Sequence, residues 1–253
     1  MIRRLLSQKV DAAIQPGFRL RGTEVSRLEG LSDAVIGFAL TLLVVSLEVP
    51  QTFDELLDSI RGFAAFALCF GLLIVIWFEH YTFFRRYALQ DTFIIFWNTV
   101  LLFLIVFYVY PLKFLFTLFF NNLFGMDLVV AQPGGAAVPM IQEGQLSQLY
   151  LIFGIGWTAV WLVFVLFYRY ALQQSDRLGL NPLELFDTRA SLYENLSAVL
   201  VGFVSILIVI AGGADSAGWV YLAMFPITWL IKRRNAIQRR KIAPSFKPVT
   251  SIE

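Results

Sequence analysis

The sequence predicts an all-α integral membrane protein with six transmembrane helices per chain and both termini in the cytoplasm. Three observations carry this prediction: the composition, six long apolar runs, and an uneven distribution of basic residues. The 253-residue chain is 58% hydrophobic and 15% charged, whereas an ordinary globular domain is about half apolar and about a quarter charged. A soluble chain of this length could not bury so much apolar surface, so lipid must cover part of it. The single cysteine excludes an internal disulfide framework.

Six apolar runs are long enough to cross a bilayer, which takes about 20 residues for a hydrocarbon core of about 30 Å. The runs are Gly30–Val49, Ile60–Phe84, Thr92–Leu112, Leu146–Tyr168, Leu192–Gly213 and Ala217–Ile231. The third run is followed by another apolar stretch, Phe114–Phe120, which either extends the helix or lies in the interface. We therefore expect a cytoplasmic arm over residues 1–28, a six-helix membrane domain over 29–231 and a basic cytoplasmic tail over 232–253.

The basic residues set the predicted orientation. Of the 20 Lys and Arg, 18 fall on the side of the termini, and only Arg61 and Lys113 fall on the other side. Basic residues favour the cytoplasmic side, so both termini are expected there. The basic tail is typical of an orientation signal that also contacts anionic lipid. Because no folded basic domain accompanies it, we do not expect nucleic-acid binding.

Polar side chains inside the first three runs point to a shared layer. Ionisable groups within a bilayer are costly and are usually paired or functional. The predicted topology places five polar side chains at similar depth, with Arg27 just below them. The five are Ser32, Asp33, Trp77, His80 and Asn98. Taken singly, Ser32 and Asp33 could be N-cap residues and His80 could reach water, but the matched depth favours a hydrogen-bonded layer that fixes helix packing.

The first run has two unlike faces when its residues are placed at helical steps. One face is small or polar, and the other is uniformly aliphatic. The small or polar face consists of Gly30, Asp33, Ala34, Gly37, Phe38, Thr41, Val45 and Glu48. Two interpretations stay open at this point: a tight packing seam between helices, or the lining of an aqueous path that several copies of the chain enclose.

The string from Arg27 through Ser32-Asp33 to Thr41-Leu42 resembles the motif of the transmembrane protein 175 family of potassium channels. Trp77-x-x-His80, and Asn98 followed by an apolar run to Pro111, are similar to the second and third helices of that family. The resemblance is specific over residues 27–112. A single six-helix repeat resembles the prokaryotic form, which is a homotetramer.

The resemblance implies a pore lined by the first helix of each subunit. The implied constriction positions are Phe38, Thr41, Leu42 and Val45, and Arg27, Ser32, Asp33, His80 and Asn98 are the implied motif and layer residues. The resemblance also implies a pore without a re-entrant selectivity filter. The sequence agrees, because it contains no Thr-Val-Gly-Tyr-Gly segment. The chain departs from the family at Leu31, where the motif has Phe, and at Phe38, where the family has a branched aliphatic residue. Four Phe rings at one level predict a narrower, more strongly dewetting gate.

The leading hypothesis is therefore a homotetrameric, potassium-preferring cation channel in a prokaryotic plasma (inner) membrane. The alternative is a secondary transporter, or a proton-conducting membrane protein that uses Asp33 and His80. A membrane enzyme with His80 as its base is a third hypothesis, but no nucleophile motif, phosphate loop or metal-ligand set accompanies it. We predict no enzymatic activity, no cofactor and no metal beyond permeating potassium, since one histidine cannot build a multi-histidine centre.

Overall fold

The computed structural model describes residues 17–45, 51–53, 57, 60, 62–125, 129–131, 137–142 and 144–242, and this part of the chain is predominantly helical. The helices are α1 (Arg27–Val45), α2 (Phe63–Tyr87), α3 (Thr92–Leu123), α4 (Gln145–Gln173), α5 (Ser175–Leu178), α6 (Pro182–Ile210), α7 (Ala214–Ala217) and α8 (Met224–Ile242), and a 3₁₀ helix spans Gly218–Ala223. The predicted site side chain of Val45, residues 1–16 of the predicted arm and residues 243–253 of the predicted tail lie outside the described residues.

Within the described ranges, α2, α3, α4 and α6 are long and apolar enough to cross a membrane. These four helices support a multi-pass helical membrane fold. The count of six spans and the placement of both termini remain predictions, because α1 is described only as far as Val45 and the C-terminal half of α8 is basic.

Several helices extend beyond the predicted spans. Helix α3 continues through Pro111 to Leu123, so the second apolar stretch belongs to the same helix. Helix α6 begins at Pro182, because Asn181 and Glu184 form a capping box and Pro182 occupies the first helical turn. The apolar run that we predicted at residues 217–231 divides into the 3₁₀ segment and the first turns of α8.

A short antiparallel hairpin interrupts the all-α prediction between α3 and α4. Strands β1 (Val129–Ala131) and β2 (Ala137–Pro139) pair with Val130 opposite Val138. This hairpin was not predicted from the sequence, and the helical class of the fold is unaffected by it. β-branched residues on either side of a Pro-Gly-Gly sequence favour such a hairpin.

The helices pack in a chain of neighbours that leaves α1 at one side of the subunit. Helix α1 packs against α2 and α3, α3 against α4, and α6 packs against both α4 and α8. A fully buried aromatic group joins α2 to α4, with the rings of Phe83 and Phe167 stacked 4.8 Å apart. Gly156 on α4 lets Tyr108 of α3 lie directly against the helix backbone.

The segment before α1 is extended and docked onto other helices. Glu184 is buried in α6 and accepts the backbone N–H of Arg19 at 2.8 Å and the guanidinium of Arg21 at 2.9 Å. The ring of Phe18 is buried and meets Tyr87 edge-on at 5.8 Å. The start of α1 is thus anchored to α2 and α6 through residues 18–22.

Candidate functional site

Helix α1 starts one turn earlier than the apolar run, at a capping box. The hydroxyl of Ser26 accepts the backbone N–H of Glu29 at 3.1 Å, and the Glu29 carboxylate accepts the N–H of Ser26 at 2.9 Å. Ser32 and Asp33 therefore lie inside the helix, and the N-cap interpretation of these two residues is wrong. A Ser-x-x-Glu sequence before an apolar run was the available signal.

Ser32, His80 and Asn98 form a directed chain of hydrogen bonds between α1, α2 and α3. The Nε2–H of His80 donates to Asn98 Oδ1 at 2.9 Å, since an amide oxygen can only accept. Asn98 Nδ2 then donates to Ser32 Oγ at 2.9 Å, and that hydroxyl donates to the Leu28 carbonyl at 2.8 Å. Ser32 and Asn98 are 0% exposed and His80 is 1% exposed, so water does not compete for these bonds. Interhelical hydrogen bonds in lipid contribute about 0.6–1.7 kcal/mol each.

Asp33 and Trp77 form a second, separate contact between α1 and α2. Trp77 Nε1–H donates to Asp33 Oδ1 at 2.8 Å, and the indole stacks on Tyr81 with ring centroids 5.7 Å apart. The Asp33 side chain is exposed in the isolated subunit. The five predicted residues are thus brought together as a buried chain of three and a separate pair, in which Asp33 is exposed and Trp77 is half-buried. Arg27 is exposed, and within the described contacts no hydrogen bond or ion pair joins it to either group.

The hydrogen bonds from α1 to α2 and α3 accompany an orientation of α1 in which its aliphatic face packs inward. Ile36, Ala39 and Leu43 are buried in the core with α2 and α3. The opposite face is exposed at Gly30, Asp33, Ala34, Gly37, Phe38 and Thr41. These six residues match the small or polar face expected from the sequence, and we call them the open face of α1. Leu42 is half-buried and packs against the core, at the edge of the open face.

The open face presents one hydroxyl and one large ring. Thr41 Oγ1 donates its hydrogen to the Phe38 carbonyl at 2.7 Å. Its oxygen lone pairs consequently stay available on the exposed side, where they can accept a hydrogen bond or contact a cation. The Phe38 ring is 55% exposed in the isolated subunit.

A polar ridge along the N-terminal half of α6 was not predicted from the sequence. Its members bind the end of α2 and the tail helix α8. The contacts are Asn195 Nδ2 to Glu79 Oε1 at 2.9 Å, Arg86 Nη1 to Ser191 Oγ at 2.8 Å, and Arg239 Nε to Asp187 Oδ1 at 2.9 Å. Polar residues at spacings of three and four from Asn181 onward were the signal, but we began this span at Leu192.

The fold and this site define a multi-pass helical membrane protein whose first helix carries a polar, unpacked face. Comparison with known proteins supports this assignment. The family model described as the endosomal/lysosomal potassium channel TMEM175 matches residues 27–108. A potassium channel of Marivirga tractuosa is 36% identical over 235 residues, which cover 90% of this chain and 95% of the relative. A potassium channel of Chamaesiphon minutus is 33% identical over 97 residues, or 35% of this chain and 48% of the relative.

A solved structure extends the likeness to three dimensions. The crystal structure of a variant of the potassium channel MtTMEM175, in complex with a nanobody–MBP fusion protein, matches with a TM-score of 0.74 and 36% identity. The match covers 88% of this chain and 98% of that chain. The chain belongs to the TMEM175 family. Because the family and its named members are potassium channels, which are not enzymes, the prediction that this chain is not an enzyme is confirmed.

Proposed function

We propose that the chain is a potassium-preferring cation channel, which assembles as a homotetramer around α1 in a prokaryotic plasma membrane. The observation that carries the proposal is the open face of α1, which holds Asp33 and Thr41 and is exposed, whereas Ile36, Ala39 and Leu43 of the same helix are buried. Leu31 and Val44 are also exposed on this side of the helix. The potassium-channel names of the relatives support the choice of ion.

The open face requires an aqueous environment or a partner. A carboxylate such as Asp33 facing hydrocarbon is costly, so this face is unfavourable against lipid. One helix cannot enclose a path. Several subunits arranged about an axis would turn the open face of each α1 toward a shared aqueous path. The family resemblance supports four subunits, and the distribution of basic residues supports cytoplasmic termini.

The constriction follows from the order of residues along the open face. Four Phe38 rings at one level would narrow and dewet the path. Thr41 lies one turn further on, and its free lone pairs can replace part of the hydration shell of a cation. Leu42 contributes to the wall from the edge of the face, and Val45 is proposed as the next apolar ring.

The polar layer is proposed to be structural for this pore rather than an ion-coordinating filter. Ser32, His80 and Asn98 are buried away from the open face and bind one another. Their role is to fix the rotation of α1, so that Phe38 and Thr41 point away from the subunit core. Asp33 and Trp77 would line the cytoplasmic entrance, where the carboxylate attracts cations.

The experiment is a bi-ionic reversal potential from purified protein in planar bilayers, with potassium on one side and sodium on the other. We expect unitary currents that reverse close to the potassium potential. A reversal potential near zero would mean that the channel does not prefer potassium over sodium. Coupled, saturable flux without unitary currents would favour a secondary transporter, and currents that follow a proton gradient would favour proton conduction through the same face.

Substitutions on α1 test the constriction directly. Phe38→Ala should enlarge the unitary current, because it removes the bulkiest side chains from the constriction. Thr41→Val keeps the shape of the side chain but removes the oxygen, so the reversal potential should move toward zero. Phe203→Ala is the matched control, since Phe203 is 51% exposed but lies on α6, which packs against α4 and α8. Equal effects of the two Phe substitutions would contradict the assignment of α1 to the pore.

A further inference from the structure

We propose that the outer face of α8 binds an anionic phospholipid headgroup of the cytoplasmic leaflet. The binding residues would be Trp229, Arg233 and Arg240. These three occur at spacings of four and seven, which place them on one face of the helix. The proposed site rests on the proposed topology and on the assembly around α1, but not on ion conduction.

The other face of α8 is already occupied. Asn235 Nδ2 donates to Glu194 Oε1 at 3.4 Å, and Arg239 binds the Asp187 carboxylate with Nε at 2.9 Å and Nη2 at 3.0 Å. These contacts hold α8 along α6 and determine which residues face outward. The positive charge of Arg239 is thereby paired with Asp187, whereas the neighbouring Arg240 is exposed.

The outward face changes character along the helix. Its first two turns expose Phe225 and Trp229, and the next turns expose Arg233 and Arg240, with Ile237 exposed beside them. The predicted sixth span ends at Ile231, so the change falls at the expected membrane surface. A ligand that fits must combine an apolar part with a negative head, which describes an anionic lipid better than a nucleic acid or an acidic peptide.

Trp229 and Arg233 form the centre of the proposed site. The Arg233 guanidinium lies over the Trp229 indole, with Cζ 5.1 Å from the ring centroid. Tryptophan favours the level of the headgroups, and the stacked guanidinium still presents its N–H groups for a phosphate. Within the described part of the chain, no carboxylate pairs with Arg233 or Arg240, so phosphate oxygens would be their first anionic partners.

The position of α8 in the subunit also favours lipid. Helix α8 packs on α6 and the 3₁₀ segment, whereas α1 packs on α2 and α3. In an assembly built around α1, α8 would lie at the periphery, where the bilayer rather than another subunit meets its outer face.

The test measures how strongly the full-length protein prefers phosphatidylglycerol to phosphatidylcholine of matched chain length, by native mass spectrometry of the lipids retained. The variant is Arg233→Gln with Arg240→Gln. Each arginine near a charged membrane surface contributes about five-fold to binding, so the pair should lower the preference about 25-fold. The charge-conserving variant with Lys at both positions should keep most of the preference.

The matched control is Arg177→Gln with Arg189→Gln. These two arginines are exposed on α5 and α6, and the predicted topology places them on the same side of the membrane as α8. The control removes the same charge from outside the α8 face, so a defined site at Trp229 and Arg233 predicts a smaller loss in the control than in the α8 variant. An equal loss in the control, or no loss in the α8 variant, would overturn the proposal. Circular dichroism and thermal unfolding of each variant establish that the comparison is made between folded proteins.

Discussion

The buried chain through Asn98 gives the sharpest quantitative prediction. We consider Asn98→Leu, which keeps a similar volume and so creates little cavity. His80 would lose its acceptor, and a buried N–H without a partner costs about 1–3 kcal/mol. Ser32 would lose one donor but keep its own bond to the Leu28 carbonyl, which adds about 0.6 kcal/mol. The expected loss in the free energy of unfolding is about 2–4 kcal/mol.

The measurement is an equilibrium unfolding titration of the protein in mixed detergent micelles with increasing dodecyl sulfate. Thr99→Val is the control on the same helix, because the Thr99 hydroxyl is exposed and bonds only the Ile95 carbonyl of its own turn. We expect the control to lose under about 0.5 kcal/mol.

A double-mutant cycle separates the pair from its surroundings. Ser32→Ala and Asn98→Leu remove the same hydrogen bond, so their joint effect should fall short of the sum by about 0.5–1 kcal/mol. An Asn98→Leu loss no larger than the control, or strict additivity with Ser32→Ala, would refute the idea that this layer holds α1 in place.

Three further substitutions probe other parts of the structure. Trp77→Phe removes the donor to the exposed carboxylate of α1 and should lower the free energy of unfolding by about 1 kcal/mol, while increasing the salt dependence of any current. Gly156→Ala places a methyl group inside the ring of Tyr108 and should destabilise by about 1–3 kcal/mol. The same substitution should cost less in a Tyr108→Ala background, and unchanged stability with Tyr108 present would contradict the close α3–α4 packing. Glu184→Gln removes the charge that binds Arg21 and should cost about 2 kcal/mol and speed trypsin cleavage before α1; an unchanged cleavage rate would contradict the docking of that segment.

Local patterns were sufficient for much of this structure. Apolar runs long enough to cross a bilayer predicted the four long helices, because hydrocarbon forces a backbone to satisfy its own hydrogen bonds within one segment. Helical periodicity likewise predicted the open face around Phe38 and Thr41, since one helix decides which residues share a side.

Other features were harder to obtain from local patterns. The start of α6 at Pro182 was missed, because that helix leaves the apolar region and is stabilised by its Asn181 capping box and its polar ridge. The hairpin at residues 129–139 was missed because only three residues pair on each strand.

The sequence by itself determined the class of protein, the helical periodicity and the set of polar residues at one depth, because these depend on composition and on spacing along one chain. Only the tertiary structure decided how those polar residues divide. Ser32, His80 and Asn98 form a buried chain, Asp33 and Trp77 form a separate pair, and Asn195 binds Glu79. The physical reason is that a hydrogen bond between helices depends on their relative rotation and separation, and packing across α2, α3 and α6 sets both.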